Sequence, residues 1–252
     1  MAIYDNLISY WELEESSGTR ADSHGSNHLT DNNTVAQATG KVGEAADLET
    51  SNSEYLSIVP GADLQVGDVD FTCCGWINIE AVGTTSGRFI VGQWANAGPS
   101  DDTDSWYVNF RDHPSDGDDF SSSISTDGGT LVGFDDGGGH GAGTWFFLVL
   151  WFDSTANTWN LQVDNGTITS AATGANAPST TNTPFTLGAH AGPGSYFDGL
   201  LDQWGFWKKV LSSAEKTFLY NSGNGRSYAD LGVPSGVKSP SGGVAIGHTP
   251  FY

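Results

Sequence analysis

The sequence predicts an all-β sandwich: two stacked antiparallel sheets, with one short helix near the C-terminal end. Three observations carry this expectation. Short alternating or continuous apolar stretches recur between clusters of Gly, Asn, Asp and Ser, the pattern of strands joined by turns. Two of them, residues 144–153 (TWFFLVLWFD) and 200–208 (LLDQWGFWK), are apolar on both faces, as central strands with a layer on each side must be. Finally, Ser212-Ser213-Ala214-Glu215 is a capping box, with Ser212 as N-cap and Phe218 and Leu219 following on one face.

Composition agrees with that class. A chain of 252 residues suits one β domain with a full core, and the 34 glycines punctuate it without a collagen period. Nine Trp supply the large apolar areas that sheet packing buries. The net charge of −21, from 30 acidic and 9 basic residues, leaves too few cations to neutralise phosphates. Nucleic acid is thereby excluded as a partner, and an anionic membrane surface is disfavoured. No stretch reaches the ~18 apolar residues of a membrane span. An acidic surface is compatible with Ca²⁺, which prefers oxygen ligands.

Taken in order, residues 7–13 read as a first strand and 14–33 as a polar, Gly-containing loop. Short strands follow at 46–48 and 55–58. Residues 69–79 alternate, with Val69, Phe71, Cys73, Ile77 and Ile79 on one side and Asp70, Thr72, Cys74, Trp76 and Asn78 on the other. Cys73 and Cys74 therefore point to opposite faces, cannot pair with each other, and read as packing residues. Strands are expected at 88–94 and 105–110, and a polar, exposed one at 121–126. Ten acidic residues fall between Asp101 and Asp136, and Gly137 to Gly139 mark a loop. Residues 144–153 are the expected centre of the core. Residues 158–163 and 167–170 read as a hairpin turned by Asn165-Gly166. After a strand at 183–189, Asp198-Gly199 turns the chain into 200–208. There Leu201, Gln203, Gly205 and Trp207 are expected on one side, and Leu200, Asp202, Trp204 and Phe206 on the other.

The composition changes again after Asp230, dividing the chain into a domain at 1–230 and a Pro/Gly-rich arm at 231–252. Val244, Ile246, Phe251 and Tyr252 are apolar anchors with which such an arm would order on a partner.

Several motifs together resemble a known family. They are Leu7-Ile8-Ser9-Tyr10-Trp11-Glu12-Leu13, Asp22-Ser23-His24-Gly25-Ser26-Asn27-His28, Gly43-Glu44-Ala45-Ala46-Asp47-Leu48, Phe71-Thr72-Cys73-Cys74-Gly75-Trp76-Ile77 and Phe197-Asp198-Gly199-Leu200-Leu201-Asp202 leading to Leu211-Ser212-Ser213-Ala214-Glu215. In this order they resemble a laminin-G-like, concanavalin A-like jelly-roll domain. That resemblance implies a jelly-roll sandwich over roughly 7–220. It also implies that the loop after the first strand meets the penultimate strand near a structural Ca²⁺, with Asp22, Asn27 and Asp202 as oxygen ligands. The acidic loops Asp101-Asp102-x-Asp104 and Asp116-x-Asp118-Asp119 are a weaker second candidate.

Catalysis is not expected. Glycoside hydrolysis needs two carboxyl groups at a set spacing, and no Glu-x-Asp-x-Glu run is present; nor is a Gly-x-Ser-x-Gly or phosphate-loop motif. A sugar-binding site would instead combine a flat aromatic with amide and charged groups. Trp94 with Asn96, and Trp106 with Asn109, Arg111 and His113, offer that combination. His24, His28, His140 and His190 lack metal-ligand spacing and read as surface residues.

Met1 to Asn6 show no basic region, apolar segment or cleavage signature, which suggests synthesis in a cytoplasm without the usual export. A phage particle protein reconciles that with a glycan-binding type of fold. The leading expectation is thus a non-catalytic virion decoration protein with a lectin-like adhesion face, docked on capsid subunits through its arm. Its expected partners are those subunits, a cell-surface glycan and a second copy of the chain. The alternatives are a carbohydrate-binding module of a secreted bacterial protein and, third, a glycoside hydrolase.

Overall fold

A computed structural model describes residues 3–80, 87–95, 104–113, 117–127, 129–175, 177–192 and 194–232, with backbone alone at 112 and 113. Asn96, the Asp101-Asp102 and Asp116 loop residues, the His113 side chain and residues 233–252 lie outside that description.

The strands run β1 (Leu7–Trp11), β2 (Thr30–Asn32), β3 (Ala36–Thr39), β4 (Glu44–Leu48) and β5 (Tyr55–Ile58). Longer ones follow: β6 (Phe71–Ile79), β7 (Arg88–Gln93), β8 (Trp106–His113), β9 (Gly117–Thr126) and β10 (Thr130–Asp135). The chain then forms β11 (Trp145–Asp153), β12 (Thr158–Val163), β13 (Ile168–Ala172), β14 (Phe185–Leu187) and β15 (Gly199–Trp207) before α1 (Ser213–Tyr220). They pair into two antiparallel sheets. The eight-stranded sheet has the order β13-β12-β11-β6-β15-β4-β3, with β1 on the far half of β15; the seven-stranded sheet is β10-β9-β8-β7-β14-β5-β2. This is the jelly-roll sandwich expected from the sequence. Among the described residues no helix is long and apolar enough to cross a membrane.

The main core lies between the sheets. Phe71, Cys73, Ile77, Leu148, Leu150 and Phe206 face Val108, Phe110, Phe120, Ile124 and Leu187. Because β6, β11 and β15 are apolar on their other side too, a second core covers the outer face of the eight-stranded sheet. Cys74, Trp76, Phe147, Val149, Trp151 and Trp207 pack there beneath Ile3, Leu211, Leu219 and Leu231. The capping box forms as spelled: Ser212 Oγ accepts from Glu215 N, and the Glu215 carboxylate accepts from Ser212 N at 2.9 Å. Both cysteines are free and buried.

Four details differ from the sequence reading. Leu231, the expected first residue of the arm, is buried in the second core, and the Tyr4 hydroxyl donates to the Gly232 carbonyl, so the folded unit extends past 230. Gln203 adopts φ 50° at a bulge, where Asp202 pairs with Trp76 but Gly205 with Cys74. That extra residue resets the alternation, so Leu201 shares the inner core with Trp204 and Phe206. The β12–β13 turn centres on Asp164 and Asn165, both at positive φ, one residue earlier than Asn165-Gly166. Strand β9 is buried rather than exposed, since β8 and β10 flank it on both sides.

Candidate functional site

Among the described residues no second core lies on the outer side of the seven-stranded sheet. In β8 the side chains of Trp106, Val108 and Phe110 enter the main core, so Tyr107, Asn109 and Arg111 point outward. Register aligns their neighbours into rows: Gly133, Ser123, Tyr107 and Gly92 in one, and Asp135, Ser121, Asn109 and Phe89 in the next. The small residues keep this floor low. A Cβ on Gly133 would run into Ser123 Oγ, and one on Gly92 into the Trp106 carbonyl.

Two adjoining recesses open on this face. The first, about 100 Å³, is lined by Phe89, Trp94, Tyr107, Asn109, His190 and Ser195. The rings of Trp94 and Tyr107 meet edge to face at 4.7 Å between centroids, and Phe89 stacks beside Tyr107 at 6.0 Å. The second, about 350 Å³, runs from Tyr107 past Ser121 and Ser123 to Arg111, Leu131 and Asp135. Its volume falls in the roughly 300–1,000 Å³ range of small-molecule sites. Tyr107 lines both. Arg111 is held from two sides: its Nη2 donates to Asp135 Oδ1 at 2.5 Å, and its Nε lies 3.8 Å from Asp119 Oδ1.

Backbone hydrogen bonds bring His190 here from a distant part of the chain. Gly188 N donates to the Ile90 carbonyl, Ala191 N to that of Trp94 and Phe89 N to that of Ser195, at 2.7–2.8 Å. These tie the loop after β14 along β7. Burial lowers the His190 pKa, opposed by the Gly192 backbone and the Asp104 carboxylate.

Of the residues expected to bind a ligand, Trp94, Asn109 and Arg111 lie on this face. Trp106 does not. Its ring is fully buried, packs against Phe71, Trp159 and Phe185, and donates from Nε1 to Gln93 Oε1 at 3.2 Å. The expectation grouped Trp106 with Asn109 and Arg111 against the two-residue period of a strand; that period selects Tyr107. Phe89, Tyr107, His190, Ser195 and the β9 serines went unrecognised. For His190 no local signal existed, since long-range backbone pairing places it. Two other histidines are structural rather than merely superficial: His28 Nδ1 accepts from Asp22 N, and His140 bonds Asp136 and stacks on Phe120.

The residues expected to hold calcium have other partners. Asp22 Oδ1 accepts from the amides of Tyr10, His24 and Gly25, and Oδ2 from that of Asn27, so the carboxylate ties its own loop to β1. Asn27 donates to Ser9 and Asp63. Asp202 is fully buried on β15 and accepts from Lys41 N and Val42 N at 2.7 and 2.8 Å. Burial pushes its pKa up to about 8. Backbone amides thus take both Asp22 oxygens and Asp202 Oδ2, and Asp202 Oδ1 is the one oxygen of the two carboxylates left buried without a hydrogen-bond partner. Among the described residues, the three carboxylates close enough to share an ion are Asp47, Glu49 and Glu80. Burial raises the pKa of each, and Asp198 beside them adds to the rise.

A two-sheet jelly roll with one open, aromatic-bearing face defines a lectin-like sandwich, and comparison with known proteins agrees. The model of the concanavalin A-like lectin/glucanases superfamily, in its laminin G form, matches residues 50–215, and the chain belongs to that superfamily. No curated protein is significantly similar in sequence.

Solved structures share the fold at low identity. The binding domain of Paraclostridial Mosquitocidal Protein 1 superposes with a TM-score of 0.71 at 14% identity, over 87% of this chain and 53% of that one. Domain 4 of AbnA, a GH43 extracellular arabinanase from Geobacillus stearothermophilus solved with arabinotriose, gives 0.59 at 18%, over 88% and 98%. The Botulinum neurotoxin serotype D ligand-binding domain, solved with N-acetylneuraminic acid, gives 0.66 at 11%, over 87% and 52%. The chain spans about half the length of the toxin binding domains and nearly all of the arabinanase domain.

Proposed function

We propose that the protein is a non-catalytic glycan-binding module whose ligand lies on the open face of the seven-stranded sheet. The observation that carries this is the Trp94–Tyr107 aromatic pair set beside Asn109 and the β9 serines on a sheet face over which no described residues form a second layer. Aromatic rings stack on the apolar face of a sugar, while amides and hydroxyls pair with its hydroxyl groups. Solved structures of the same fold with arabinotriose and with N-acetylneuraminic acid support the class of ligand. Binding is favoured over hydrolysis because the carboxylates Asp119 and Asp135 both face the Arg111 guanidinium. They do not flank an open gap as an acid–base pair would.

A glycan array followed by titration tests this. Trp94→Ala should weaken capture about fivefold, the worth of roughly 1 kcal/mol of stacking, and leave the melting temperature within a few degrees. An array that captures nothing, or binding indifferent to Trp94, would remove the proposal. The finer reading places the module on a phage particle, docked through the 233–252 segment with Val244, Ile246, Phe251 and Tyr252 as anchors. It rests on the composition of that segment. Loss of co-sedimentation with particles on deleting 233–252 would support it, and unchanged co-sedimentation would end it.

A further inference from the structure

Two polar atoms in the first recess have no hydrogen-bond partner. Asn109 Oδ1 and His190 Nδ1 are both shielded from solvent and make no hydrogen bond of normal geometry, the Gly192 backbone lying beside the imidazole, and both belong to side chains lining the space beside Trp94 and Tyr107. Unmet polar atoms occur elsewhere in the chain, among them Asp202 Oδ1 and Trp204 Nε1, but these two share one recess open to solvent, where a ligand can supply the missing partners. The chemistry of the pair narrows the ligand. Asn109 Oδ1 can only accept, whereas a neutral imidazole nitrogen donates or accepts according to tautomer. Sugar hydroxyls, which donate and accept, meet both; a carboxylate, which only accepts, cannot meet Asn109 Oδ1.

Charge narrows it further. Among the described residues Arg111 is the one cationic side chain lining the two recesses, and Asp135 and Asp119 already hold it. Asp104 adds negative charge near His190, and the whole chain carries −21. An acidic sugar would find two carboxylates for the single guanidinium and an anionic body behind them.

We propose that this face takes an uncharged sugar, pairing its hydroxyls with Asn109 Oδ1 and His190 Nδ1, and discriminates against acidic sugars. The inference rests on the glycan-binding role above and adds the chemistry of the ligand. It also separates this chain from the botulinum domain solved with N-acetylneuraminic acid, with which it shares a fold at 11% identity.

The test uses the full chain and two immobilised series: arabinotriose, lactose and maltotriose, and sialyllactose with glucuronic-acid-terminated counterparts. The neutral series should be captured. Capping lactose with sialic acid should weaken binding about threefold or more at low ionic strength, and the gap should narrow as salt screens the repulsion. Asn109→Ala and His190→Ala should each lower neutral affinity about five- to tenfold, as loss of one ligand hydrogen bond does. His190→Gln, which keeps a polar group in place, should lose less. Asp135→Asn should release Arg111 and raise sialyllactose binding relative to lactose. Acidic glycans bound as well as neutral ones, with Trp94→Ala still weakening both, would overturn the selectivity and leave the binding role intact. Capture of neither series would remove the binding role and the inference together.

Discussion

The two sheets are built from the same kinds of strand, yet their outer faces have opposite fates. On the eight-stranded sheet, β11 turns Phe147, Val149 and Trp151 outward, and the chain lays α1, Ile3 and Leu231 over them. Lys216 lies within that cover with its Nζ 3.7 Å above the Trp151 ring. On the seven-stranded sheet, β9 turns Ser121 and Ser123 outward and β8 turns Tyr107, Asn109 and Arg111 outward, and no second core forms among the described residues. Apolar area on both faces of a strand demands a second layer, whereas a polar and aromatic face is stable against water and free to meet a ligand. One outer face is thus committed to stability and the other is available for recognition.

The largest test of that contrast is a pair of tryptophans. Trp207 is fully buried on the covered face and donates from Nε1 to the Ile3 carbonyl at 2.6 Å. Trp207→Ala should cost roughly 3–5 kcal/mol in denaturant unfolding, while Trp94→Ala on the open face should cost under about 1 kcal/mol. Equal costs would erase the distinction between the faces. A somewhat smaller effect is expected at the end of the domain. Truncation after Asp230 removes Leu231 from the second core and should cost about 2–4 kcal/mol. Truncation after Gly232 keeps that contact and should leave the melting temperature near that of the full chain. If both truncations melt alike, Leu231 is not part of the cover.

Asp202 gives a subtler test, since it is a polar group buried within the covered sheet. Its folded pKa is raised to about 8 by burial, against about 3.9 for an unfolded Asp. The folded state therefore holds the proton more tightly. Its contribution to stability is complete below about pH 4, declines as pH rises through the window to about 8, and is lost above it. Asp202→Asn, which stays neutral, should flatten the pH dependence across that window and gain on the native chain toward pH 8. Parallel curves for the two proteins between pH 4 and 8 would show that Asp202 is ionised throughout.

Much of this architecture was legible because its causes are local. The capping box at Ser212 and Glu215 depends on residues three apart, and the two-faced runs of β11 and β15 state their own burial. Strands β2, β3 and β10 were missed because their stabilisation comes from neighbours. Thr30–Asn32 is wholly polar, Ala36–Thr39 alternates only small Ala with polar residues and has no buried position, and Thr130–Asp135 lies in a Gly- and Asp-rich region. The bulge at Gln203 had no signature, and without it the faces of β15 were misassigned. The open face was half legible. Trp94, Asn109 and Arg111 were marked by residue type, but choosing Trp106 over Tyr107 ignored the period of the strand. His190 could not be placed before the pairing of its loop with β7 was known.

The adjacent residues Trp106 and Tyr107 point to opposite sides of one strand, and the second of them tests the central claim most directly. Tyr107 lines both recesses and contributes to no buried cluster. Titration of Tyr107→Ala with the glycan bound most tightly by the native chain, alongside its melting curve, should show affinity lowered tenfold or more with the melting temperature nearly unchanged. Native affinity in that variant would place ligand binding elsewhere and contradict the assignment of the open face.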